Sequence, residues 1–411
     1  MNAAFGLYLH IPFCRQRCHF CAFYLELHRD AAAEDFLRAL HTELRLYAAD
    51  KMTAGRPLRS VYFGGGTPTV LTAAQLTRLL SAVRESFAMD RDCEITVEAH
   101  PATVGVAALS ALRGAGVTRL SFGAESMHDD ELVRIGRPGA TIDTVEAVAA
   151  ARTAGFTNIN LDLMYGLPGQ TLESWQRTLS ACCDLSPTHL SCYALTVEDG
   201  TRLAHDVRRE PSQAPDELLQ VEMDQAARQM LTEAGYARYE ISNHARPGFE
   251  CRHNLLYWTQ GHYLGLGPSA QSFVDGVRFG NIANLSAYES ALDEGRLPVH
   301  DRSVLTAEEQ LRDAVIFGLR LERGIPTSHL NRHAVNYDYE KVVGIPGEEG
   351  DLRFVEKSRL EQGKVMLYRA HRDVHLQLPA DEMSVSFNIV EASHSSVFRG
   401  QYRFVVANSK V

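Results

Sequence analysis

Over its first half the chain alternates short runs rich in β-branched and aromatic residues with amphipathic segments, and this alternation restricts the fold more than any other feature. The strand-like runs are FGLYLH (5–10), RSVYFG (59–64), EITVEA (94–99), VTRLSF (117–122), TNINLDLMYG (157–166) and THLSCYAL (188–195). Between them lie segments with apolar residues at helical spacing: 34–48, 73–87, 106–116, 143–155 and 172–185. Strand followed by helix, repeated, predicts a parallel sheet with helical crossovers. Six units are too few to close an eight-stranded barrel. The expectation is therefore an α/β fold, a partial (β/α)6 TIM-like barrel over residues 1–205. A smaller α+β domain over 206–330 follows, opening with a long helix at 215–235, and residues 331–411 form a divergent tail with short strands.

A chain of 411 residues is longer than one core usually supports, which agrees with more than one domain. Its net charge of −10 argues against nucleic acid, whose binding needs clustered Lys and Arg to displace counterions. No apolar run approaches the roughly 18–20 residues needed to span a bilayer. The first residues, MNAAFGLYLHIPFC, have neither the charged head nor the long apolar middle of a signal peptide, so the cytoplasm is the expected location.

Four loops that follow strand ends are rich in Gly and Pro: GGGTP (64–68), EAHP (98–101), GAES (123–126) and GLPGQ (166–170). In parallel α/β folds ligands sit at that edge of the sheet. The first strand runs straight into Cys14-Arg-Gln-Arg-Cys18-His-Phe-Cys21, while the other five of the eight cysteines are scattered without a repeating interval. That is no disulfide framework. Thiolates bind iron-sulfur clusters, which normally take four of them. Three local thiolates would leave one iron open to an exchangeable ligand such as an amino acid amine and carboxylate. The alternative is a zinc ion with His10 or His19 as fourth ligand, although structural zinc sites usually come as two separated ligand pairs.

The run Tyr8-x-His10-x-Pro12-Phe13-Cys14-x3-Cys18-x-Phe20-Cys21 resembles the radical S-adenosylmethionine (SAM) superfamily. Within it, YFGGGTPT (62–69), TVEAHP (96–101), RLSFGAES (119–126), NINLDLMYGLPGQT (158–171), YEISNHA (239–245) and HNLLYWTQGHYLGLGPSAQS (253–272) resemble the oxygen-independent coproporphyrinogen oxidase family, with its HemN and HemW branches. The resemblance implies that Cys14, Cys18 and Cys21 ligate a 4Fe-4S cluster and that SAM chelates the fourth iron. It places Tyr8 in the cofactor site, Phe20 near the adenine, and Gly64, Gly65, Gly66 and Thr67 along the methionyl moiety. It likewise gives Glu98 to the sulfonium, Arg137 to the carboxylate and Asp162 to the ribose hydroxyls, with Glu125 next to the SAM site. His253, in His-Asn-x-x-Tyr-Trp, matches a motif associated with haem binding in the HemW branch, and imidazole is a good axial ligand for haem iron. A small-molecule substrate and a reductase or flavodoxin-type electron donor are the implied partners.

The chain departs from the family pattern in ways that bear on function. Phe23 stands where HemN oxidases carry a further cysteine, Glu125 where the family has Gln and His100 where it has Asn. Gly136-Arg137-Pro138-Gly139 lacks the histidine of the usual Gly-Arg-x-His. These changes, with the unfamiliar C-terminus, lead to the expectation of a HemN-like methyltransferase or cyclopropanase that uses two SAM molecules on a small molecule. A HemW-like haem chaperone and a coproporphyrinogen III dehydrogenase-like oxidase are the other readings. In the tail, VHLQLP, MSVSFNIV and QYRFVV read as three strands. His371 and His375, four apart on an extended strand, would stand roughly 13 Å from each other, so no second metal is expected there.

Overall fold

All six expected strands form and lie side by side in chain order. The computed structural model describes residues 5–53, 55–326, 364–365, 383–393 and 396–406. The strands are β1 (Phe5–Ile11), β2 (Leu58–Gly65), β3 (Met89–Ala99), β4 (Arg119–Glu125), β5 (Asn158–Tyr165) and β6 (His189–Ala194). Each pairs in parallel with the next. Helices cross between them: α1 (Asp30–Ala48), α2 (Ala73–Ser86), α3 (Val106–Gly114), α4 (Asp129–Arg134), α5 (Thr141–Thr153) and α6 (Leu172–Asp184). Among the described residues the strand order is linear, with no pairing that closes the parallel set.

The two faces of these strands carry different chemistry, because successive side chains point to opposite sides. In β1, Phe5, Leu7, Leu9 and Ile11 join the hydrophobic core with Phe36, Leu40 and Leu44 of α1. The alternate positions Tyr8 and His10 face polar groups instead. The same holds along the sheet: Ile95, Val97, Leu120, Phe122, Ile159 and Leu161 lie in the core. Glu94, Thr96, Glu98, Arg119, Ser121, Asn160, Asp162, His189 and Ser191 are buried on the other face. The interior of the open barrel is thus a buried polar surface.

The boundary expected at 205/206 is not where the contacts divide. One unit comprises Met1–Arg238, Ser242–Tyr257 and Gly261–Val304; the other comprises Tyr239–Ile241, Trp258–Gln260 and Leu305–Val411. The reason is a further strand, His262–Leu266, which pairs in parallel with β1 and extends the main sheet. Beyond it run three antiparallel strands, Gln271–Val274, Val277–Asn281 and Val299–Val304. At the other end Asn243–Ala245 pairs antiparallel with β6. In the second unit, Met383–Ser393 and Ser396–Val406 pair antiparallel. VHLQLP, His371 and His375 lie outside the described residues. Among the described residues no helix is long and apolar enough to cross a membrane.

Candidate functional site

The cysteine loop leaves the end of β1 and is tied down on both flanks. Phe13–Cys14 pairs with Glu26–Leu27, and the His28 amide donates to the Cys14 carbonyl at 2.9 Å. The Gln16 amide donates to the Gly136 carbonyl at 3.0 Å, and the His19 backbone to Ile135 at 2.8 Å. Cys14 and Cys18 are buried, while Arg15, Gln16 and Arg17 face solvent. Phe20 is buried with Cys18, Ile135, Met164, Leu167, Leu195 and Leu203, an apolar wall beside the triplet.

The GGGTP loop at the end of β2 is strapped to that loop. Gly66 and Thr67 donate their backbone N–H groups to Ile11 and Phe13 at 2.8 and 2.7 Å. The Thr67 hydroxyl lies 3.5 Å from the Cys14 sulfur. A Cβ on Gly66 would stand 2.6 Å from the Phe13 carbonyl oxygen and 3.1 Å from the Cys14 sulfur, so only glycine permits this approach. Gly64 abuts both Tyr8 and Glu98. Tyr8, Gly64 to Thr67, Cys14 and Glu98 are therefore brought together.

Three buried acids gather on the interior face, Glu125 beside Arg137 and Glu98 and Asp162 under the influence of Arg119. Glu98 accepts from the Tyr62 hydroxyl at 3.0 Å and the Gly65 amide at 3.2 Å. Burial and the nearby Asp162 push its pKa well above the usual carboxylate range. Asp162 accepts from Ser121 and Asn160, each at 2.9 Å, and burial raises its pKa too. Glu125 ends β4 in the left-handed region at φ 63, past an irregularity in the register with β5. Burial lifts its pKa to about 7, against the pull of Arg137 at 3.6 Å. Arg137 donates to the Gly123 carbonyl at 2.6 Å and reaches the Cys18 sulfur at 3.8 Å. Glu125 Oε2 and Arg137 Nε are buried with no hydrogen-bond partner. Carboxylates that suppress one another's ionisation are a fitting bed for a cationic sulfonium, which would restore their charge.

His253 is held by a hydrogen bond at each ring nitrogen. Its Nδ1 lies 2.9 Å from the Ser60 hydroxyl and its Nε2 2.8 Å from the Tyr257 hydroxyl. The ring is buried against Tyr62 and Tyr257, and burial lowers its pKa to about 3. With both nitrogens engaged, it can offer iron a lone pair only by giving up one of these bonds.

The zinc alternative would need His10 or His19 as its fourth ligand. The two nitrogens of His10 lie 3.2 Å from Tyr8 Oη and the Tyr24 carbonyl, and His19 Nδ1 lies 3.1 Å from the Arg134 carbonyl. Among the described residues no three His, Cys, Asp or Glu side chains are gathered tightly enough to hold a single metal ion. Three thiols on one loop, beside an apolar wall and a glycine-lined strap, suit a cluster several ångströms across.

Sequence reasoning missed the support for Asp162. Asn160 Nδ2 also donates to Ser121 Oγ at 2.7 Å, and its Oδ1 lies 2.6 Å from His189 Nδ1 and 3.2 Å from Ser191 Oγ, whose hydroxyl donates to it. The signal was present as polar residues at period two in strands otherwise built of Leu and Ile.

The family model for the radical SAM superfamily matches residues 8–182. A Mycobacterium tuberculosis protein named heme chaperone HemW is 38% identical over 329 residues, which cover 79% of this chain and 84% of that protein. The Bacillus subtilis protein of the same name is 33% identical over 367 residues, covering 89% and 95%. Among solved structures, the Escherichia coli coproporphyrinogen III oxidase HemN, described as a radical SAM enzyme, superposes with a TM-score of 0.71 at 29% identity. That match covers 80% of this chain and 79% of HemN.

Proposed function

We propose, because the chain belongs to the HemN/HemW-like family of radical SAM proteins, that it binds a 4Fe-4S cluster and SAM and handles haem as a chaperone of the HemW kind. The observation that carries the reading is agreement along most of their length with proteins named heme chaperone HemW. Phe23 in place of a further cysteine points the same way. The methyltransferase or cyclopropanase expected from the altered residues has no such support.

In this reading Cys14, Cys18 and Cys21 hold the cluster. Gly64 to Thr67 present main-chain groups to the methionyl end of SAM, and Phe20 closes the apolar side near the adenine. Glu98 and Glu125 counter the sulfonium, Arg137 takes the carboxylate, and Asp162, held in place by Ser121 and Asn160, takes the ribose diol. The bound cluster would supply one electron, received from a reductase or flavodoxin-type donor, to cleave SAM to methionine and a 5'-deoxyadenosyl radical. The chain's own contribution is orientation and exclusion of water at a buried polar face.

The test is a haem titration of the anaerobically reconstituted protein by absorption, with SAM and dithionite, alongside measurement of 5'-deoxyadenosine. Stable stoichiometric haem with little 5'-deoxyadenosine supports the chaperone reading. Abundant 5'-deoxyadenosine with substrate and no stable haem overturns it in favour of an enzyme of the methyltransferase or oxidase kind.

A further inference from the structure

We propose that His100 is a ligand-contacting residue of this site, whose Nε2–H and the Arg137 guanidinium together receive one carboxylate group. The inference rests on the reading that SAM and haem are ligands of this protein. His100 follows the end of β3, directly after Glu98 and Ala99. Its side chain is only 9% exposed. Nδ1 accepts from the Ala102 amide at 3.2 Å and so caps the short turn Pro101–Thr103. Burial first, and then Arg137, lower the ring's pKa to about 3, so it is neutral, and with Nδ1 accepting, the proton sits on Nε2. The Pro138 carbonyl lies near, yet Nε2 makes no hydrogen bond of good geometry. Capping explains one nitrogen and leaves a buried donor unexplained.

The neighbours say what that donor could meet. Arg137 also has a buried nitrogen, Nε, without a partner. Gly139 has φ +91, and a Cβ placed there would stand 3.3 Å from His100 Cε1 and 2.7 Å from Asp143 Oδ2. The imidazole at 100 thus occupies space that a side chain at 139 would enter. The His100 ring and Gly139 pack against each other, with Arg137 close enough to act on the imidazole. Two orphaned donors, one cationic and one neutral, suit the two oxygens of a carboxylate. That carboxylate belongs either to the methionyl end of SAM or to a haem propionate.

The experiment compares cluster-loaded wild type, His100→Asn and His100→Asp for anaerobic binding of SAM and, separately, of haem. Asn keeps both the capping acceptor and a donor; Asp keeps the cap, loses the donor and repels a carboxylate. We expect His100→Asn to stay within about threefold of wild type. His100→Asp should lose roughly tenfold or more in affinity for SAM if SAM supplies the carboxylate, or for haem if the propionate does. Iron content and melting temperature should be unchanged. If His100→Asp fails to retain iron, His100→Thr, which caps through its hydroxyl but cannot reach the ligand, takes its place with the same expectation. Affinities equal to wild type for both ligands would overturn the proposal. A wild type that binds neither ligand would overturn the functional reading, and this inference with it.

Discussion

Glu125 shows what a single atom type changes at this site. Its carboxylate is buried, in a left-handed backbone conformation, with one oxygen unpartnered. Its pKa near 7 means that raising the pH ionises it and creates a counter-charge for a sulfonium. Wild-type affinity for SAM should therefore rise between pH 6 and 8. Glu125→Gln should bind SAM roughly tenfold more weakly at pH 8, equivalent to about 1.4 kcal/mol, and lose that slope. Equilibrium dialysis at several pH values checks this, and an unchanged dissociation constant would mean that Glu125 serves Arg137 alone. The cysteines permit a sharper contrast. Ala at Cys14, Cys18 or Cys21 should abolish bound iron. Cys182→Ala should leave it intact, since Cys182 is buried in the core on α6. The triplet and the glycine strap were legible because their spacing is chemical. The double engagement of His253 and the packing of His100 against Gly139 were not, because both depend on contacts between residues distant in sequence.

Among the elements, α1 is anchored to the far edge of the sheet by Glu43. This carboxylate is fully buried and accepts from the Gly267 amide at 2.8 Å, Asn281 Nδ2 at 2.6 Å and the Tyr288 hydroxyl at 2.6 Å. Burial lifts its pKa to about 7. For an acid whose folded pKa is raised, the associated stability is full below the unfolded value and is lost as pH rises through the folded one. Unfolding free energy should thus fall between about pH 4.5 and pH 7, by on the order of 3 kcal/mol at most. Glu43→Gln should flatten this dependence, and because an amide cannot accept from all three donors it should cost about 1–3 kcal/mol at pH 5. Denaturant melts across pH check both. The six parallel strands and their helices were readable from alternation and helical spacing. His262–Leu266 was not, since its Gly-rich surroundings resemble a loop and only pairing with β1 makes it a strand.

At the scale of the molecule, every residue assigned to the cluster and to SAM lies in the unit that ends at Val304. A chain cut after residue 370 should keep its iron and its SAM affinity, with at most a loss of stability; loss of iron would show that the tail supports the site. The class of fold was legible because alternation is a property of the whole sequence. The division into units was not, because a parallel partner for β1 arrives some 250 residues after it. In the function proposed above, three cysteines of this chain hold a cluster with one iron open to SAM. The most direct test is the electron paramagnetic resonance spectrum of the anaerobically reduced protein with and without SAM. We expect a 4Fe-4S signal whose line shape changes when SAM is added and which is absent in Cys18→Ala. A spectrum unaltered by saturating SAM, or a cluster signal that survives Cys18→Ala, would contradict it.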